Sequence, residues 1–272
     1  MLRRLFSATL VATLAVPVAM QAQVVLQRQG DADFRWDRAV AAGKEVSIHN
    51  ITGNIKVTAS TSGKVEVVGV KHGDSRYFDR IRADVQETAN GVIVCVLYAS
   101  SDSYCDERGQ HSNNRGGRWN DPEDIEMSLE VAVPANLLVS AHNVSGDVMV
   151  TGAHGNVDVS SVSGDVRLEK LHADGVRANS VSGNVDVQVD EFTGRGDLVF
   201  HSVSGDITLD APRNFEADIS MSTVSGDIRS DFPLVVGGNR MTRRNVEARI
   251  GNGGRRFDVS TVSGSLRIRT AK

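Results

Sequence analysis

One short word recurs six times in this chain. It reads NVSGDVM from Asn143, SVSGDVR from Ser161, SVSGNVD from Ser180, SVSGDIT from Ser202, TVSGDIR from Thr223 and TVSGSLR from Thr261. The valines fall at 144, 162, 181, 203, 224 and 262, so successive spacings are 18, 19, 22, 21 and 38 residues. A sustained period near 20 is the mark of a repeat architecture, in which each unit buries its apolar face only by stacking on its neighbours. The last spacing is about twice the others, which predicts one degenerate copy between Val224 and Val262.

Within a copy the apolar residues alternate. Four residues after the valine stand Val148, Val166, Val185, Ile207, Ile228 and Leu266. Six after it come Val150, Leu168, Val187, Leu209 and Ile268, with Ser230 as the exception. Five and three residues before it are pairs such as Val157/Val159, Leu198/Phe200 and Phe257/Val259. Period-two alternation on both sides of a glycine turn predicts two half-buried strands per repeat. No stretch carries sustained helical periodicity. The expected fold is therefore all-β, a β-solenoid or β-helix of ~20-residue turns with two short strands each.

The repeated word reads as the corner. Gly146, Gly164, Gly183, Gly205, Gly226 and Gly264 suit a backbone that a Cβ would penalise. Asp147, Asp165, Asn184, Asp206 and Asp227 suit turn geometry and can bond nearby amides. The residue before each valine is Asn, Ser or Thr, so stacking predicts a hydrogen-bonded polar ladder. A calcium site on the aspartate column is disfavoured: each turn supplies one carboxylate, and the ion takes six to eight oxygens.

The flanking regions bound the rest. Arg3 and Arg4, an apolar run and small residues near Ala22 read as a signal peptide over residues 1–22. No later segment is apolar enough to span a bilayer, so the expected location is the periplasm, cell surface or medium. Residues 23–133 form an irregular β portion that includes HNITGNIKV (49–57), a variant of the repeated word; residues 134–272 hold the regular repeats. Cys95 and Cys105, in an exported chain, read as a disulfide at the start of a polar loop over 95–124. Tyr104, His111, Arg118 and Trp119 make that loop a candidate recognition surface.

Other candidates are sparser. His154 and His172 stand ten residues after their valines in adjacent copies, a weak metal pair without an assured third ligand. Net charge is −4, which argues against nucleic acid as a partner. The charge is uneven: residues 144–228 carry 14 Asp/Glu and 5 Lys/Arg, whereas 230–272 carry 9 Lys/Arg and 3 Asp/Glu. Arg240, Arg243, Arg244, Arg255 and Arg256 form a candidate patch for an anionic envelope glycan, or for self-association of basic end on acidic body. No cofactor motif, nucleophile elbow or HExxH is present.

KEVSIHNITGNIKV, VAVPANLLVSAHNVSGDV and ARIGNGGRRFDVSTVSGSLRIR together resemble the bacterial putative-adhesin family of unknown function, a set of exported β-solenoid proteins. The resemblance covers nearly all of the chain beyond residue 22. It implies an envelope or secreted location, a non-enzymatic adhesin-like or structural role, and no catalytic residues. It also places IGNGG (250–254) at the degenerate copy. The alternative is a carbohydrate-active β-helix enzyme of the polysaccharide lyase or hydrolase kind, which would need carboxylates converging beneath long loops.

Overall fold

The structure, a computed structural model, describes residues 33–98, 103–106, 109–111, 125–242 and 244–271, with the backbone alone for 237–241. The signal-peptide reading, Arg118, Trp119 and Arg243 lie outside the described residues.

The chain is all-β. Its N-terminal part contributes β1 (Phe34–Arg38), β2 (Glu45–Thr52), β3 (Ile55–Ala59), β4 (Val65–Gly73), β5 (Ile81–Glu87), β6 (Gly91–Tyr98), β7 (Tyr104–Asp106), β8 (Gly109–His111) and β9 (Ile125–Val133). The middle holds β10 (Leu138–Ser145), β11 (Val148–Thr151), β12 (His154–Ser163), β13 (Val166–Ser182), β14 (Val185–Phe192), β15 (Leu198–Ser204) and β16 (Ile207–Ala211). The C-terminal part adds β17 (Ala217–Ser225), β18 (Ile228–Ser230), β19 (Val235–Met241), β20 (Asn245–Ile250), β21 (Arg256–Ser263) and β22 (Leu266–Thr270). The only helical element among the described residues is a 3₁₀ turn at Ser75–Arg80, capped by the Asp74 side chain.

All strands except β7 and β8 join one sheet, built around two parallel ladders. Strands entering the corners pair in the order β6, β2, β10, β12, the second half of β13, β15, β21, β17. Strands leaving the corners pair in the order β9, β3, β11, the first half of β13, β14, β16, β22, β18. The side chains that alternate inward from both ladders form one core, running from Val46 and Ile55 to Leu266 and Ile268. The two portions expected from the sequence thus share a single interior.

Chain order and ladder order part company at both ends. The final copy does not follow Val224 in space. Strand β21 lies between β15 and β17, and β22 between β16 and β18. Phe257 therefore sits in register with Leu198 on one side and Ile219 on the other, and meets Phe200 edge-on at 5.3 Å between ring centroids. Burying an aromatic in this way contributes about 1.5–3 kcal/mol.

This arrangement overturns the degenerate copy expected at IGNGG. The residues between Ser230 and Arg256 instead form β19 and β20, with β20 antiparallel to the outer edge of β17. Gly251, Gly253 and Gly254 take φ of +56°, +73° and +99°, the left-handed turn that returns the chain to the inner slot. The doubled spacing is the length of this excursion. At the other end β2 and β3 are likewise enclosed, between β6/β9 and β10/β11. There the outer edges are covered by antiparallel strands, β5 on β6 and β4 on β9, with β1 on β4.

Candidate functional site

The stacked corners show why the word is repeated. Before each valine a short polar side chain turns inward and donates to the glycine carbonyl of the neighbouring corner: Ser161 to Gly146, Ser180 to Gly164, Ser202 to Gly183, Thr261 to Gly205 and Thr223 to Gly264, at 2.9–3.2 Å. Asn143 Nδ2 does the same to Gly53 at 2.8 Å. The polar ladder expected from the sequence therefore runs from side chain to backbone rather than from hydroxyl to hydroxyl. All of these donors are buried, where an unpaired carbonyl would cost about 1–3 kcal/mol.

The aspartate column has an equivalent task. Asn54 Oδ1 accepts from Asp147 N–H, Asp147 from Asp165, Asp165 from Asn184, Asn184 from Asp206, and Asp206 from Ser265, at 2.7–3.0 Å. Each side chain thus ties its own corner to the next. The glycines are needed mainly by the stack itself. A Cβ on Gly146, Gly164, Gly183, Gly205, Gly226 or Gly264 would lie 2.0–2.4 Å from the glycine carbonyl oxygen of the adjacent corner.

With the residues on either side committed to the stack, the valine faces solvent. Val144, Val162, Val181, Val203 and Val262 are 47–49% exposed, and Val224 62%. The flanking register, for example Asn143↔Ser161 and Ser145↔Ser163, puts each valine beside the next. The result is an apolar row in the order Val144, Val162, Val181, Val203, Val262, Val224, bordered by exposed or half-exposed serines and the aspartate column. Strand neighbours lie about 4.8 Å apart, so the row is roughly 25 Å long. Sequence reasoning read these valines only as the phase marker of the repeat. Yet the signal was there: with inward residues five, three and one before it, position zero must point out.

Residues 136–269 match the Toastrack DUF4097 family model. The chain carries a Toastrack domain. Its fold is similar to that of a putative cell adhesion protein from Clostridium sporogenes ATCC 15579, at TM-score 0.50 and 8% identity, over 87% of this chain and 99% of that one. A putative adhesin from Bacteroides fragilis NCTC 9343 is 14% identical at TM-score 0.45, over 86% of this chain and 96% of that one. No curated protein matches the chain.

The other predicted sites fall in different places. Cys95 and Cys105 are joined, with Cα atoms 6.3 Å apart. The bond anchors the β7–β8 hairpin to β6. Tyr104 and His111 stack at 4.8 Å on this hairpin, and His111 Nε2 lies 2.9 Å from Asp106 Oδ1. Beneath it is His49, which the sequence reading passed over. Its ring stacks on His142 at 5.3 Å, and Ser47 Oγ lies 3.0 Å from its Nε2. Burial, then the neighbouring His142, holds the His49 imidazole down at about 4, against a smaller opposing pull from Asp106.

His154 and His172 do stand in register, with rings 4.7 Å apart and nearly parallel at 8°. His172 Nδ1 is 3.4 Å from Glu191 Oε2. Among the described residues, no group of three or more His, Cys, Asp or Glu side chains is arranged to hold a metal.

The five-arginine patch does not survive as one surface. Arg255 is 5% exposed. Its guanidinium donates to the carbonyls of Asp174, Gly194 and Gly196 and lies 4.3 Å from the Phe192 ring centroid. Desolvation lowers its pKa, opposed by Asp174 and Asp197. This cation ties the 194–196 connection to Asp174 of β13, with three of its five N–H donors spent on backbone carbonyls. Arg256 pairs with Asp258 at 2.8 Å, and Arg244 is exposed. Arg243 and the Arg240 side chain lie outside the described residues.

Proposed function

We propose that the protein is a non-enzymatic, exported β-solenoid of ~20-residue turns, serving as an adhesin-like or structural protein of the cell envelope. It binds a glycan polymer or a protein partner through the Val–Ser face of its stacked corners. The observation that carries this reading is the exposed valine row. An apolar stripe held in register over successive corners is expensive to leave in water, and such contiguous patches mark interaction sites. Each corner offers one weak contact, and the stack multiplies them. The reading requires neither metal nor cofactor. The basic opening followed by an apolar run supports export, and no described helix is long and apolar enough to cross a membrane.

The test is retention of the mature chain on a panel of insoluble envelope polysaccharides and immobilised envelope proteins, beside a Val162→Asp/Val181→Asp/Val203→Asp variant. Binding to at least one surface that the triple variant loses, with an unchanged melting curve, is expected. Equal retention of the two proteins would remove the valine face from the function. Release of soluble sugar products would replace the binding reading with the enzyme alternative.

A further inference from the structure

The two ends of the stack are finished differently. On the corner-leaving ladder, β9 is covered by β4 from Glu66↔Ala132 to Gly73↔Ile125. At the opposite end of the same ladder stands β18. It pairs with β22 on its inner side, and among the described residues no strand pairs with its outer side. Leu266 N–H donates to Asp227 O and Asp231 N–H to Ile268 O. Strand alternation then turns the N–H and C=O groups of Ile228 and Ser230 away from β22, toward the outside.

The side chains around this edge are also those of an unfinished layer. The residue four after the valine is at most 1% exposed at Val148, Val166, Val185, Ile207 and Leu266, whereas Ile228 is only half-buried. Ser230 stands where the other copies place an aliphatic residue. A groove beside the strand is lined by Ile228, Ser230, Leu234, Thr242 and Val246. On the outward face Arg229 lies in register with Arg267, a like-charge pair, and Arg229 makes an exposed contact with Asp227 at 3.3 Å.

We propose that the β18 edge receives an extended segment of another protein, added as one more strand. Its chemistry follows from this molecule. The cover that the chain supplies for β9 is an antiparallel strand whose Val65 and Val67 turn into the core around an outward Glu66. The occupant of β18 has the same form: valine-like residues at alternate positions to close over Ile228, and a carboxylate between them to meet Arg229 and Arg267. This site is separate from the valine row, and neither depends on the other.

The probe is a capped, fluorescently labelled peptide of sequence EVEVDVEV, titrated with the full mature protein and read by anisotropy. Saturable binding is expected. It should weaken at least about tenfold when alternate backbone nitrogens of the peptide are methylated, because the lost donors are those that would reach β18. A KVKVKVKV peptide should bind at least about tenfold more weakly, and Arg229→Glu should narrow or reverse that preference. Ser230→Pro removes an outward N–H without touching the β22 ladder and should abolish binding. If that variant fails to fold, the methylated peptide on the unaltered protein still decides. Equal binding of methylated and unmethylated peptides, or no saturable binding, would overturn the proposal. So would concentration-dependent self-association lost in Ser230→Pro without peptide binding, which would assign the edge to a second copy.

Discussion

The stacked corners of the middle copies and the two ends of the same stack solve one problem in different ways. In the middle, each rung is held by its neighbours, so every corner can be the same: a hydroxyl donating down, an Asx accepting, a glycine with no room for a Cβ. At the ends one neighbour is missing. There the chain reverses direction, as β4 and β5 do at one end and β20 at the other, and antiparallel strands cover the open edges. Strand edges left bare invite pairing with other chains. The comparison teaches that repetition is local while closure needs a departure from it, and that among the described residues β18 is the ladder end left without such a departure.

The sharpest way to break this comparison is to put a Cβ into a middle corner. Gly205→Ala would place that atom 2.0 Å from the Gly183 carbonyl oxygen. We expect loss of folding, or destabilisation beyond about 4 kcal/mol in urea denaturation. By contrast Gly43→Ala, where nothing lies within 4 Å of the new atom and φ of +77° is the sole strain, should cost about 1 kcal/mol.

Next comes the slot of the final copy. Phe257→Ala should cost about 3–5 kcal/mol, since it empties a site enclosed on both sides. Amides of β21 should resist hydrogen exchange as long as those of β15. Rapid exchange in β21 would mean that the last copy is an outer layer, and the interleaving would be wrong.

The His49 contribution is smaller and depends on pH. Its folded pKa of about 4 lies below the ordinary 6.5, so the unfolded chain takes up the proton first. Stability from this group is fully present above about pH 6.5 and is lost as pH falls toward 4, by at most about 3 kcal/mol. His49→Gln should flatten that slope, as read from denaturation midpoints between pH 7 and 4. An unchanged slope would remove His49 from the acid response. Reduction of the Cys95–Cys105 bond should cost about 2–3 kcal/mol for a sequence separation of 10. Melting with and without reductant checks it.

Much of this was readable in advance because the repeat is a physical constraint written once per turn. Alternating residues such as Leu198/Phe200 and Ile207/Leu209 announce two strands and their inward faces. Gly164-Asp165 announces the corner between them. Arg255 illustrates the other case. In sequence it sits beside Arg256 in a basic tail, and only its phase, two residues before the inward Phe257, distinguishes the two. In space it fills a gap beneath Asp174, Gly194 and Gly196, residues about 60–80 positions away. His49 was similarly illegible, because its burial comes from the hairpin carrying Gly109 and from His142.

By itself, then, the sequence determined what is periodic: all-β character, the inward faces, the corner and its glycine, since each follows from residues a few positions apart. The tertiary structure alone decided the order of the layers. The final copy carries the same word as the rest and would fit any slot in the ladder. It lies between β15 and β17 because the chain first crosses outward as β20, covers the edge of β17, and turns back at Gly251–Gly254. That choice rests on contacts between strands distant in the chain, and no local pattern encodes it.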